Sequence, residues 1–173
     1  MKGVLVWFTG RPSSGKSTLA AVVRDELEQR GTKAVMLDSD DVRAVIRPKP
    51  GYDAAARDAF YATLAELAAL VAGQGFVVLV PATGHRREFR ERARQAAPAF
   101  VEVYVNVPAE EAERRDAKGL YAAVRQGKLS GVPGADVEYQ VPERPDVTSS
   151  GQDDRPAIAR IIEMIDSKRR GQS

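Results

Sequence analysis

Gly10-Arg11-Pro12-Ser13-Ser14-Gly15-Lys16-Ser17-Thr18 is the stretch that decides the fold. It fits G-x-x-x-x-G-K-S/T, the phosphate-binding P-loop pattern, with Gly10, Gly15, Lys16 and Ser17 in the fixed places. Upstream, Val4-Leu5-Val6-Trp7-Phe8 is a short apolar run, as expected of a buried parallel strand. Downstream, Leu19, Val22, Val23 and Leu27 recur at helical spacing, and Gly31 stands where a helix would stop. The pattern therefore has the strand–loop–helix context it needs. Glycines let the backbone curl so that successive N–H groups face phosphate oxygens, and the helix N-terminus adds partial positive charge. Lys16 is expected to reach the β- and γ-phosphates of a nucleotide, and the Ser17 hydroxyl to ligate Mg²⁺. Gly10, Ser13, Ser14, Gly15, Lys16, Ser17 and Thr18 are the candidate nucleotide-binding set, with ATP as co-substrate.

The chain of 173 residues suits one domain, 1–173, with a substantial core. Without cysteine it has no disulfide and no thiolate metal site; a reducing, cytoplasmic location fits. No stretch is long and apolar enough to span a bilayer, and the N-terminal apolar run is too short for a signal sequence. The net charge of +2 favours anionic ligands only mildly. Arg86, Arg87, Arg90, Arg92 and Arg94 cluster, but Glu88 and Glu91 interleave them, so a solvated helix face is expected rather than a nucleic-acid surface.

Apolar runs alternate with helical patterns along the rest of the chain. This predicts an α/β fold: a central five-stranded parallel sheet with helices on both faces. A second strand at 33–37 delivers Asp38-Ser39-Asp40-Asp41 at its carboxyl end, where open α/β sheets bind ligands. Asp41 is read as the cap of a helix carrying Val42, Arg43, Val45 and Ile46. A long helix spans about 54–72, with Phe60, Leu64, Leu67 and Val71 as its core stripe. The third strand, 76–80, ends without the Asp that many P-loop proteins place there for Mg²⁺, so that duty falls to Asp38 or Asp40. His85, the only histidine, sits at a loop–helix junction, where a solvated side chain is expected rather than a catalytic base. The fourth strand, 100–107, alternates valines with Glu102, Tyr104 and Asn106, suggesting one more polar face. After a short helix, 118–145 reads as a long irregular segment rich in Gly, Pro and charge. In a phosphotransferase that suits a lid, because closure excludes competing water. A short fifth strand at 146–148 and a helix faced by Ile158, Ile161, Ile162 and Ile165 complete the chain.

A P-loop alone specifies nucleotide binding and no particular reaction. The sequence has neither N-K-x-D for guanine nor D-x-x-G at the end of the third strand, so GTPase marks are missing. Acids at the second strand end, scattered arginines and a lid suit transfer from ATP to a small hydroxyl acceptor. A nucleotide-binding module without catalysis is the reading of a different class. Asp38, Asp40, Arg43 and Lys118 argue against it, since a pure binder does not need them.

The segments WFTGRPSSGKSTLA, LDSDDVR, Gly51-Tyr52 with Arg57, FVEVYVNVP, RRDAKGLYAAVRQG and PERPDV together resemble the adenylylsulfate (APS) kinase family, in order and nearly end to end. D-A-K-G-L-Y, 116–121, is the most specific of them. The resemblance implies a three-layer P-loop kinase fold and transfer of the ATP γ-phosphoryl group to the ribose 3′-hydroxyl of APS. The product is the 3′-phosphorylated sulfate donor, PAPS. It implies Asp40 as general base or Mg²⁺-associated carboxylate beside Ser17, with Asp38 its neighbour at the acceptor ribose. Tyr52 is implied as a stacking partner of the acceptor adenine, and Arg43 and Arg57 as ligands of its phosphosulfate. Lys118 and Leu120 belong to the lid-base motif, Lys118 as a neutraliser of the transferring phosphate. Homodimers are usual in the family, although no stretch here demands one. The leader that many members carry before the first strand is not expected. Departures cluster on the acceptor side. Phe60 stands for the family's asparagine, Ala62-Thr63 for an arginine pair, Gly84-His85 for its serine loop, and Val132 for the phenylalanine of its lid. A kinase of this fold acting on another small hydroxyl, of a sugar, nucleoside or antibiotic, is therefore the second reading.

Overall fold

The computed structural model describes residues 1–171. Five strands, β1 (Val4–Thr9), β2 (Ala34–Met36), β3 (Val77–Pro81), β4 (Phe100–Val105) and β5 (Val147–Ser149), form one sheet in the order β2-β3-β1-β4-β5. All four pairings are parallel, as the alternation of apolar runs and helical patterns predicts. The helices are α1 (Lys16–Gln29), α2 (Ser39–Val45), α3 (Ala54–Gly73), α4 (Arg87–Ala96), α5 (Ala109–Arg115), α6 (Leu120–Arg125) and α7 (Arg155–Arg170).

The pleat of the central strand sorts the core into two halves. Val4, Val6 and Phe8 face one side, with Val77, Leu79, Val101, Val103 and Val105, against Leu19 and Val23 of α1 and Ile161 and Ile165 of α7. Leu5 and Trp7 face the other, with Val78 and Val80, against Phe60, Leu64 and Ala68 of α3 and Phe89 and Ala93 of α4. Successive side chains of a strand point to opposite faces, so a run apolar at every position is the pattern of a strand covered twice. No helix among the described residues is long and apolar enough to cross a membrane.

Element boundaries shift by a residue or two from the sequence reading, but three differences matter. First, the 118–145 segment is not wholly irregular: it opens with α6, whose entry is held by Asp116 accepting the Tyr121 and Ala122 amides at 3.1 and 3.0 Å. Second, Asp38 rather than Asp41 caps α2, its carboxylate accepting the Asp40 amide at 2.9 Å. The helix starts three residues earlier than expected, because the strand ends at Met36 and the first acid after it already has the extended backbone a cap needs. Third, the Arg-rich helix is not solvated all round. Arg90 is buried, and its Nε donates to buried Glu102 of β4 at 2.8 Å. The polar side of β4 is therefore covered by arginines of α4 instead of facing water.

Candidate active site

The P-loop hangs from the carboxyl end of β1, between its neighbours β3 and β4. Helices leave opposite faces of the sheet there, and a crevice opens above the strand ends. Two glycines are required by geometry. A Cβ on Gly10 would lie 2.7 Å from both Ser14 Oγ and the Val105 carbonyl, and Gly15, at φ 88°, turns the chain into α1 with left-handed backbone. Lys16 Nζ donates to the carbonyls of Gly10 and Arg11 at 3.1 and 2.8 Å. Desolvation against the loop, helped by the positive charge of Lys118, lowers its pKa to about 8.

The crevice is a cavity of about 1190 Å³. Of the sequence-derived site residues it is lined by Ser13, Ser14, Gly15, Lys16, Ser17 and Thr18 of the loop, Asp38 and Asp40, Arg43, Tyr52 and Arg57, and Lys118 and Leu120. Only Gly10 lies beneath the lining, packed as described. Residues far apart in sequence thus meet at one place.

Their pairing is specific. Ser17 Oγ donates to Asp38 Oδ2 at 2.5 Å, so the loop hydroxyl stands against Asp38. Asp40, two residues on, forms an ion pair with Lys118 of the 118–145 segment. Arg57 donates to the Gly131 carbonyl of the same segment. Its neighbour Asp136 accepts the Gly131 and Val132 amides, both at 2.6 Å, and is held below the usual carboxylate range by those bonds. Tyr121 hydroxyl donates to the Pro12 carbonyl at 3.1 Å, and Arg11 Nη1 to Gly134 at 3.1 Å. The 118–145 segment, expected to be a lid, therefore rests on both the P-loop and the acidic strand end.

No group of three or more His, Cys, Asp or Glu suited to a metal occurs among the described residues. The donor set present, one hydroxyl and one or two carboxylates beside a phosphate loop, fits Mg²⁺. That ion binds through one or two carboxylates, keeps several waters and takes substrate phosphates as ligands.

Sequence reasoning left several lining residues out. Arg115 reads as a surface helix residue paired with Glu111, yet of the non-neighbouring atoms its Nη1 comes nearest to where a Gly15 Cβ would stand, at 3.9 Å. Ser150–Asp153 lines the cavity from the end of β5, a position that only the sheet order reveals. Tyr61 lies under the site, accepting the Gly84 amide at 3.1 Å and stacking on Phe89 with centroids 4.5 Å apart.

His85 is buried in that same aromatic cluster, edge-on to Tyr61 and Phe89, instead of solvated as expected. Its Nδ1 has no partner among the described residues. Burial, with Arg57, Arg86 and Arg90 nearby, lowers its pKa from 6.5 to about 4, so it is neutral at pH 7. The folded value lies below the unfolded one, so the unfolded chain binds the extra proton between these two values. Stability is then full above pH 6.5 and falls by up to about 1.4 kcal/mol per pH unit down to pH 4. Urea melts from pH 4 to 7 are expected to show this slope, and His85→Gln to flatten it.

Fold and site together define a P-loop kinase. The adenylylsulphate kinase family model matches residues 2–150. The chain is 39% identical, over 146 residues, to an adenylyl-sulfate kinase of Picosynechococcus sp., covering 84% of this chain and 82% of that protein. It is 37% identical to the Mycobacterium tuberculosis APS kinase solved in complex with AMPPNP and APS, with a TM-score of 0.87 and coverage of 96% of this chain and 99% of that one. A gluconokinase of Sinorhizobium meliloti, 16% identical with a TM-score of 0.62 over 99% of this chain and 98% of that one, shares the fold alone. The chain belongs to the adenylylsulphate kinase family.

Proposed function

We propose that the protein transfers the γ-phosphoryl group of ATP to the 3′-hydroxyl of APS, releasing ADP and PAPS. One observation carries this reading. The P-loop, the Asp38–Asp40 strand end, Arg43, Arg57 and Tyr52, and Lys118 of the lid all line one cavity. The likeness to a relative solved with AMPPNP and APS supports it. The other-hydroxyl reading has no such support, since the gluconokinase is alike in fold alone.

In this mechanism the loop amides and Lys16 hold the β- and γ-phosphates. Ser17 and Asp38, whose side chains meet, would hold Mg²⁺ in place of the Ser17–Asp40 set that the resemblance implied, since Asp40 is turned to Lys118; the ion would neutralise charge on the phosphate oxygens. Asp40 accepts the proton of the acceptor hydroxyl as its oxygen attacks the γ-phosphorus and the bond to the β-phosphate oxygen breaks. Lys118, already paired with Asp40, offsets negative charge on the group in transit. Arg43 and Arg57 bind the phosphosulfate, for which a planar fork of donors is suited. Catalysis of this kind is mostly positioning and charge neutralisation.

The test is ADP release from Mg·ATP with and without APS. Strong stimulation by APS, saturating with concentration, is expected. ATP binding without APS-dependent turnover would refute the assignment. Asp40→Asn is expected to lower kcat by about 10²–10⁴-fold, the range for a general base, while ATP affinity changes little. Equal loss in both would make Asp40 a nucleotide ligand instead.

A further inference from the structure

Arg43 is an unusual cation for a binding site, because it is buried and yet forms no ion pair among the described residues. Its guanidinium lies instead on aromatic rings. The Cζ atom is 3.8 Å from the centroid of Phe60 and 4.6 Å from that of Tyr52. The first distance is van der Waals contact, the spacing of a plane stacked on a ring. Both hydrogen bonds that Arg43 donates among the described residues leave from Nη1, to Gly51 at 2.9 Å and, more weakly, to Pro50 at 3.5 Å. Nε and Nη2 are engaged by neither carbonyl. The rings thus fix the plane of the fork, the carbonyls fix its rotation, and donors remain for an anion in the cavity that Arg43 and Phe60 both line.

Phe60 is well placed to hold that geometry. It is 2% exposed and set edge-on against Tyr61 at 5.4 Å, and it sits in the second turn of α3, capped by Asp53. Tyr52 is the opposite case, 62% exposed and on the loop before α3. Of the two rings, only Phe60 is immobilised by packing.

We propose that Phe60 is a positioning residue for the acceptor. It holds the Arg43 guanidinium stacked and preorganised, so that the acceptor's phosphosulfate meets a fork already in place. A long arginine otherwise loses side-chain entropy when it is ordered by its ligand, and the stack removes that loss in advance. The proposal rests on the acceptor reading above.

Steady-state kinetics with varied APS at saturating Mg·ATP tests it, on Phe60→Leu, Phe60→Tyr and each in combination with Arg43→Ala. Phe60→Leu is expected to raise the KM for APS about tenfold, the size of a lost desolvated cation–ring stack. The KM for ATP and kcat should stay within about twofold. Phe60→Tyr, which keeps the ring, should recover most of the loss and guards against misfolding as the cause. In the Arg43→Ala background Phe60→Leu should add less than about twofold, because its effect runs through Arg43. An unchanged KM for APS in Phe60→Leu, equal changes for ATP and APS, or full additivity with Arg43→Ala would each overturn the proposal. Absence of APS-dependent turnover in the unaltered protein would overturn the acceptor reading and this proposal together. Failure in the Phe60 variants alone overturns only this one.

Discussion

Lys16→Ala is expected to lower kcat by about 10²–10³-fold, the effect of removing one preorganised positive group from a site of developing charge. The geometry explains why one side chain matters so much. The ammonium is held against the loop by the Gly10 and Arg11 carbonyls, at the N-terminus of α1. The loop's other cation, Arg11, is turned away to the Gly134 carbonyl. The same burial makes the effect titratable. With a free-state pKa of about 8, Lys16 is charged below that pH, and nucleotide phosphates favour the charged form, raising its pKa when bound. The sign follows: affinity for an ATP analogue is constant below about pH 7. Above about pH 8 it falls, by up to about tenfold per unit, until the bound pKa is reached. Calorimetric titration with AMPPNP from pH 6.5 to 9.5 checks this. Near-normal turnover in Lys16→Ala, or affinity that does not vary with pH, would remove Lys16 from the role.

The parts of this site that could be read from sequence are those whose chemistry is local. The P-loop carries its own strand, turn and helix within 4–29, so its conformation is dictated by near neighbours: Gly15 by its φ, Gly10 by contact with Ser14. The acids of the second strand end are legible for a related reason, since strand ends converge in any parallel sheet. What stayed hidden depends on long-range packing. Arg115, Tyr61 and Ser150–Asp153 reach the cavity only through the packing of α5, α3 and the end of β5 around the sheet. His85 looks like a loop residue until α4 and Tyr61 close over it. The burial of Arg90 had one available signal. Glu102 interrupts an otherwise apolar strand whose neighbour, Trp7, is fully buried, and a carboxylate there requires a cation from the covering helix. Periodicity alone assigned it to water.

Arg90→Ala is the substitution expected to cost the most stability, about 3 kcal/mol. Breaking a buried pair by removing one partner costs about 3–5 kcal/mol, because the remaining charge is left in a poorly solvated place. The lower end applies because Arg94 still donates to Glu102 Oε2 at 3.1 Å. For a chain of this size the loss corresponds to about 6–12 °C in Tm. Arg90 does more than pair with Glu102. It also donates to the Gly84 carbonyl and, through Nη2, to Gln140 at 2.8 Å, tying the loop after β3 to the trailing end of the 118–145 segment. That end is fastened again by the Gln140 amide on His85 at 2.8 Å and by the Thr9–Tyr139 hydroxyl pair at 2.9 Å. Replacing both charges, Arg90→Met with Glu102→Leu, is therefore expected to recover only part of the loss. The apolar pair removes the stranded carboxylate, but the Gly84 and Gln140 carbonyls keep their lost donor. Urea melts of the two variants separate these contributions. If the double variant is as stable as the unaltered protein, the tether to the 118–145 segment contributes nothing and the cost lies wholly in the ion pair. If it is no better than Arg90→Ala, the carbonyls carry the loss, and Arg90 matters chiefly as the anchor of that segment.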